Sequence, residues 1–256
     1  MRNVIAAALA LAALTAAAAS ACGGGADGTA SGGGFFRQYE YEEDVYLSLD
    51  GTATVYVNTS VAALNALRGT SFATAPNAPL DRDAVRAFFS TPVTRVNGQI
   101  SASRRSNRRF IHVKLDVDDI GRLGEAPPFA WATYEFKRDG DMYLYRQRIG
   151  PAAAEDVGNV GWKGREAVAF RLHLPSKIRY QNNQRGVDRG NIVVWEQSLG
   201  DCLRGAPLVL DARMDPESIL YRTLWLFGWT FVAVAISFVL VIWWIRQRAP
   251  VGKEIA

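Results

Sequence analysis

The chain has 256 residues, with 29 Lys and Arg against 25 Asp and Glu and a net charge of +4. Between Phe35 and Ile219 the tally is 24 basic to 23 acidic residues, so the excess sits at the two ends and argues against a nucleic-acid partner. Two cysteines build no disulfide framework.

The N-terminus reads as an export signal. Met1-Arg2-Asn3 is a short basic start, Val4 to Ala19 an apolar run, and Ala19-Ser20-Ala21-Cys22 a small-residue cleavage site, which predicts a signal peptide over 1–21. The same stretch resembles a bacterial lipoprotein lipobox, with Cys22 as the residue to be lipidated. Ala19-x-Ala21 also suits ordinary cleavage, which would leave Cys22 unmodified. Residues 22–34 carry seven glycines, too little surface to fold, and predict a flexible tether.

Residues 35–218 then form one extracytoplasmic domain, long enough for its own core. Val45, Leu47 and Leu49 alternate before Asp50-Gly51, and Ala53, Val55 and Val57 after it. A hairpin with an odd loop is expected, setting Leu49 against Ala53 and Val45 against Val57. Thr59-Ser60 offers an N-cap for a helix over Val61 to Arg68 that Gly69 ends, and Asp81 caps a second helix carrying Val85, Phe88 and Phe89 inward. Gln99–Arg104 and Arg108–Val117 predict a hairpin around Ser106-Asn107, with Ile111, Val113, Leu115 and Val117 on one face. Trp131–Ile149 predicts another around Asp139-Gly140, pairing Phe136 with Tyr143 and Tyr134 with Tyr145. Further strands are expected at Glu166–Leu174, Ile178–Tyr180, Asn191–Glu196 and Leu208–Arg213, with Asp215-Pro216 starting the last helix. The fold class expected is α+β, a mostly antiparallel sheet with two or three short helices.

Leu224 to Ile245 is 22 residues without a charge. At about 1.5 Å per residue such a helix reaches ~33 Å, enough to cross a hydrocarbon core. A transmembrane helix is predicted over 219–246, with Trp225 and Trp229 at one interface and Trp243 and Trp244 at the other. Arg246, Arg248 and Lys253 place the tail 247–256 in the cytoplasm.

The sequence nominates no catalytic residue, no metal ligand and no cofactor. His112 and His173 fall on the outer faces of their strands, outside any ligand-type spacing. Cys202 reads as a small buried hydrophobe. Gly158 to Gly164 lacks the Gly-Lys-Ser/Thr ending of a phosphate loop and reads as a surface loop. Glu40, Glu42, Glu43 and Asp44 read as a solvated edge strand without the ligand spacing of a calcium loop. Arg104, Arg105, Arg108 and Arg109 crowd a hairpin tip and read either as a solvated tip balanced by neighbours such as Asp116 or as a candidate site for an anionic headgroup; Arg185 and Arg189 on a second loop carry the same two readings. Trp131, Tyr134, Phe136, Tyr143, Tyr145 and Trp195 read mainly as core.

From His173 to Glu196 the chain reads HLPSKIRYQNNQRGVDRGNIVVWE. Leu-Pro before a strand, a loop containing Gly190-Asn191, and a strand ending in tryptophan resemble the LppM-type (DUF3153) bacterial lipoproteins. The resemblance implies a lipoprotein-like signal, an α+β ectodomain, a single C-terminal span and no catalytic residues. The function expected is a non-enzymatic, membrane-anchored module of the cell envelope that binds a lipid, glycolipid or envelope protein. The alternatives are an assembly subunit whose span packs on other helices through Ala233-x-x-x-Ser237, or an envelope enzyme.

Overall fold

The protein is represented by a computed structural model that describes residues 38–184, 186–187 and 191–248, without the side chains of Arg222 and Arg248. Signal, tether, Cys22, Arg185, Arg189 and the tail past Arg248 lie outside the described residues. In chain order the strands are β1 (Gln38–Leu47), β2 (Ala53–Ser60), β3 (Thr94–Val96), β4 (Ser101–Arg105), β5 (Arg108–Val117), β6 (Ala132–Asp139), β7 (Met142–Ile149), β8 (Glu166–His173), β9 (Ser176–Gln181), β10 (Ile192–Ser198) and β11 (Leu208–Ser218). The helices are α1 (Val61–Arg68), α2 (Arg82–Phe89), α3 (Leu199–Leu203) and α4 (Ile219–Arg248), and two short 3-10 turns follow β5.

The fold is α+β. One sheet runs β10-β8-β1-β2-β5-β3 with β4 also on β5, and a second runs β6-β7-β11-β9. Among the described residues every pairing is antiparallel except β1 with β8. That parallel pair joins strands more than 100 residues apart in the chain, a crossover that short-loop reasoning does not foresee.

The helices follow their sequence signals. Ser60 Oγ accepts from Ala63 N–H to open α1, and Gly69, at φ +68°, closes it by donating to Asn65 O. Val61 to Leu67 are all buried. Two carbonyls at the end of α1 are taken up by the strap between β7 and β8: Ala153 N–H donates to Leu67 O at 3.1 Å and Glu155 N–H to Ala66 O at 3.2 Å.

Two hairpins depart from their expected register. In the first, Leu47 faces Ala53 and Val45 faces Val55. The loop is odd, as expected, but consists of Leu49-Asp50-Gly51 inside a Ser48 N–H to Thr52 O bond of 2.9 Å. Gly51, at φ +88°, belongs at the last position of a three-residue loop, and that slides the pairing by one residue on each strand. In the β6–β7 hairpin, Asp139 faces Met142, so Phe136 meets Tyr145 and Tyr134 meets Gln147. Gly140 carries the positive φ of +62° and Asp141 does not. The pattern is that of a II′ turn with Gly140 first, in place of an I′ turn on Asp139-Gly140. Phe136 and Tyr143 still stack, at 5.2 Å, as diagonal neighbours. At Ser106-Asn107 both φ values are positive, 50° and 58°, and the expected hairpin forms.

β1 corrects the reading of the acidic run. It is an interior strand with Glu40 and Glu43 fully buried. Tyr39 and Tyr41 pair with the consecutive Ala167 and Val168, so Glu40 is the extra residue of a bulge that turns it and Tyr41 inward together. Asp215-Pro216 does not start a helix. β11 runs on to Ser218, Arg179 clamps Asp215 at 2.5 and 3.0 Å, and the pairing with β9 is irregular across Pro216, which has no N–H to give.

Candidate functional site

The end of the domain where the last helix begins combines a long apolar helix and a cleft. β11 passes into α4 without a linker, and Ile219 N–H donates to Pro175 O at 3.1 Å. α4 has 30 residues, about 45 Å of helix, and is long and apolar enough to cross a membrane. Trp225, Trp229, Trp243 and Trp244 are exposed along it. Trp225 and Trp229 stack at 6.1 Å, and Arg246 is exposed near its end. Ser237 does not project a free hydroxyl: its Oγ donates back to Ala233 O at 2.8 Å.

Pro175 also lines a cleft of about 510 Å³, together with Tyr46, Thr54, Arg95, Asp116 and His173. Pairing explains how these gather. His173, Tyr46, Thr54, Asp116 and Arg95 lie in one cross-strand row over β8, β1, β2, β5 and β3, on the face opposite Val45, Val55 and Leu115. Tyr46 and His173 stack at 3.8 Å, and Tyr56 meets Tyr46 edge-on at 5.5 Å. Arg95 is bonded to Asp118 at 2.8 Å, and Asn97 donates to Asp116 at 2.8 Å. Burial holds the His173 imidazole below its usual pKa, so it favours the neutral ring. The row combines exposed ring faces with hydroxyl, carboxylate and guanidinium groups. A polar ligand carrying both an apolar face and hydroxyls suits it.

The four arginines at the β4–β5 tip do not form one exposed cluster, which corrects that expectation. Arg108 points inward. Its Nε and Nη2 donate to Glu40 Oε1 at 3.1 and 2.9 Å, and its Nη1 to Val160 O and Gly161 O at 3.3 and 3.1 Å. Trp162 Nε1 donates to Glu40 Oε2 at 3.3 Å. The 158–164 loop is therefore a clasp over a buried ion pair as well as a surface loop. Arg109 is buried with Nη2 donating to Ala75 O and Pro76 O at 3.0 and 3.2 Å. Arg105 donates to Tyr39 O and lies 4.3 Å over the Phe110 ring. Of the four, Arg104 alone both is exposed and makes no hydrogen bond or ion pair among the described residues.

A polar cluster between the sheets went unread in the sequence. Glu43 accepts from Tyr41 OH, Tyr134 OH and Gln147 Nε2, each at 2.9 Å, and Tyr145 OH donates to Gln147 Oε1 at 2.8 Å. Burial raises the Glu43 pKa, opposed first by the nearby Arg68 charge. The Arg68 guanidinium lies 3.2 Å over the Trp131 ring and 5.0 Å from Tyr41, its Nε and Nη2 covered. The β1 alternation puts Glu43 on the face of Val45, the one signal that could have revealed it.

His112 sits between Asn58 and Ser103 at 2.9 and 2.8 Å. Cys202 is buried, donates to Gln197 Oε1 at 3.2 Å, and burial pushes its thiol up to about 12. Among the described residues no group of three His, Cys, Asp or Glu is placed to hold a metal ion.

No protein-family model and no curated protein matches the chain. Among solved structures, the folded domain of LppM from Mycobacterium tuberculosis is similar at a TM-score of 0.38 and 12% identity, over 72% of this chain and 94% of that one. This is a weak likeness to an LppM-type fold, and no family membership is drawn from it.

Proposed function

We propose that the chain is a non-enzymatic, membrane-anchored binding module of the bacterial cell envelope. Its folded domain lies outside the membrane, α4 spans it, and the tail is cytoplasmic. The ligand is the polar headgroup of an envelope lipid or glycolipid, taken up in the Tyr46–His173 cleft. One observation carries this reading: Pro175 both accepts the first N–H of the apolar helix and lines the cleft. A headgroup at the bilayer surface is thereby within reach of the exposed rings. The cysteine and histidines support a binding role over a catalytic one, since the thiol is buried and protonated and each ring is half covered. Acylation of Cys22, where it occurs, adds a second anchor.

The test is native mass spectrometry of the full-length protein extracted in mild detergent. We expect a retained amphiphile that is lost in Tyr46→Ala and His173→Ala at unchanged melting temperature. A protein that emerges bare, or equal retention by both variants, removes the reading. Protease added to spheroplasts should degrade the domain and spare the tail.

The exposed notch at Gly228, flanked by Tyr221, Trp225 and Trp229, favours a second reading as an assembly subunit. It predicts a larger complex in mild detergent that Gly228→Leu disperses, since that glycine opens onto free space.

A further inference from the structure

We propose that Arg82, Arg104 and Arg109 form a binding site for a phosphate group, separate from the cleft beside the span. The three line a pocket of about 280 Å³ between the start of α2 and the β4–β5 hairpin, with Leu80, Ala102 and Ser103 among its walls and no carboxylate lining it. The arginines are unequal. Arg109 is 6% exposed, and two carbonyls fix its Nη2, yet its buried Nη1 has no hydrogen-bond partner among the described residues. Arg82 donates its Nε to Ile100 O at 3.2 Å, and its outer nitrogens make no hydrogen bond among the described residues. Arg104 makes no hydrogen bond or ion pair among the described residues. The two acids flanking Arg82 in sequence, Asp81 and Asp83, do not line the pocket, and Asp81 is engaged in capping α2 through Ala84 N–H at 2.9 Å.

A buried guanidinium donor without an acceptor is costly, and three cations around one hollow with no carboxylate in its lining repel one another. An oxyanion relieves both. Phosphate suits the donors best, because guanidinium forks bind its oxygens in pairs and three of them match its several acceptors. Ser103, at the rim, already has its hydroxyl on His112. The recognition therefore rests on the arginines.

On the membrane topology proposed above, position separates this site from the bilayer. Ser103 pairs with Phe110 on β5, whereas the row beside the span passes through Asp116. Six residues of strand at about 3.3 Å each put the two rows ~20 Å apart. The phosphate group is thus carried by a molecule on the aqueous side, while a headgroup of the protein's own bilayer is the other source of the same chemistry.

The experiment uses full-length protein in nanodiscs of neutral phosphatidylcholine, titrated with inorganic phosphate and with glycerol phosphate and followed by phosphorus NMR and calorimetry. We expect saturable binding that Arg104→Glu weakens by about tenfold or more. Arg104 is exposed and unbonded, so that variant should melt with the wild type. Arg109→Lys, which keeps the charge and loses the fork, should weaken binding less than Arg104→Glu. Absence of binding in neutral discs, or binding indifferent to Arg104→Glu, overturns the proposal. Discs containing phosphatidylglycerol separate the sources. Added phosphate that still binds there identifies a soluble or polymer-borne phosphate, and phosphate that is displaced identifies the headgroup.

Discussion

Arg108 and Glu40, 68 residues apart, form a buried ion pair in which one carboxylate oxygen receives two guanidinium donors, at 3.1 and 2.9 Å. The other carboxylate oxygen accepts from Trp162, so neither side chain is left short of partners. Removing one member strands the other charge in the interior. Arg108→Met should cost about 3–5 kcal/mol, read from chemical denaturation of the protein. Arg105→Ala, three residues away but exposed, should cost about 1 kcal/mol or less. Equal losses in the two variants would show that Arg108 is not buried in this way.

Glu43 makes stability depend on pH with a sign opposite to that of an ordinary carboxylate. Burial raises its folded pKa above the usual 4.5. Below 4.5 both folded and unfolded states hold the proton, and the contribution is fully favourable. As pH rises past 4.5 the unfolded state ionises first, so stability is lost until the folded pKa is passed. Wild type minus Glu43→Gln, compared by thermal melts across the pH range, should therefore move against the wild type above pH 4.5. A difference that is flat, or that favours the wild type as pH rises, contradicts the burial of this carboxyl.

The parts of the fold that the sequence revealed are those set by neighbours in the chain. Ser60 and Gly69 bound α1, Ser106-Asn107 turns the β4–β5 hairpin, and Leu224 to Ile245 forms the apolar helix, because cap, turn and hydropathy are local properties. The two register errors came from glycine, whose presence in a turn is plain but whose slot within it is decided by loop length. The acidic strand was misplaced for a different reason. Its neighbour β8 lies beyond six other strands, in the second half of the chain, and alternation alone cannot distinguish an interior strand from an edge. At the arginine tip, charge density was visible while direction was not. Arg108 turns inward only because the bulge at Glu40 presents a carboxylate there. The cleft beside the start of α4 was invisible for the same reason, since Tyr46, Asp116 and His173 become neighbours only once the sheet is paired.

Cys202 should resist alkylation in the native state. Its thiol is buried and held up to about 12, so almost no thiolate exists at neutral pH. In a Cys22→Ser background, iodoacetamide should label Cys202 only as fast as denaturant unfolds the domain. Rapid labelling without denaturant would place the thiol at the surface.

Gly124 and Gly51 should respond differently to alanine. A Cβ on Gly124 would meet Ala132 O at 2.6 Å, a backbone atom of β6 that cannot step aside. A Cβ on Gly51 meets Phe136 at an ordinary 3.7 Å, and the penalty is its φ of +88°. Gly51→Ala should cost about 1–2 kcal/mol, and Gly124→Ala clearly more, both measured by denaturant midpoint. The reverse order would mean that the turn following β5 does not abut β6.

The direct passage from β11 into α4 leaves no slack in which motion could dissipate. On the proposed topology, in which α4 spans the bilayer, a tilt of the helix is carried straight into β11 and, through the Ile219–Pro175 bond, to the start of β9.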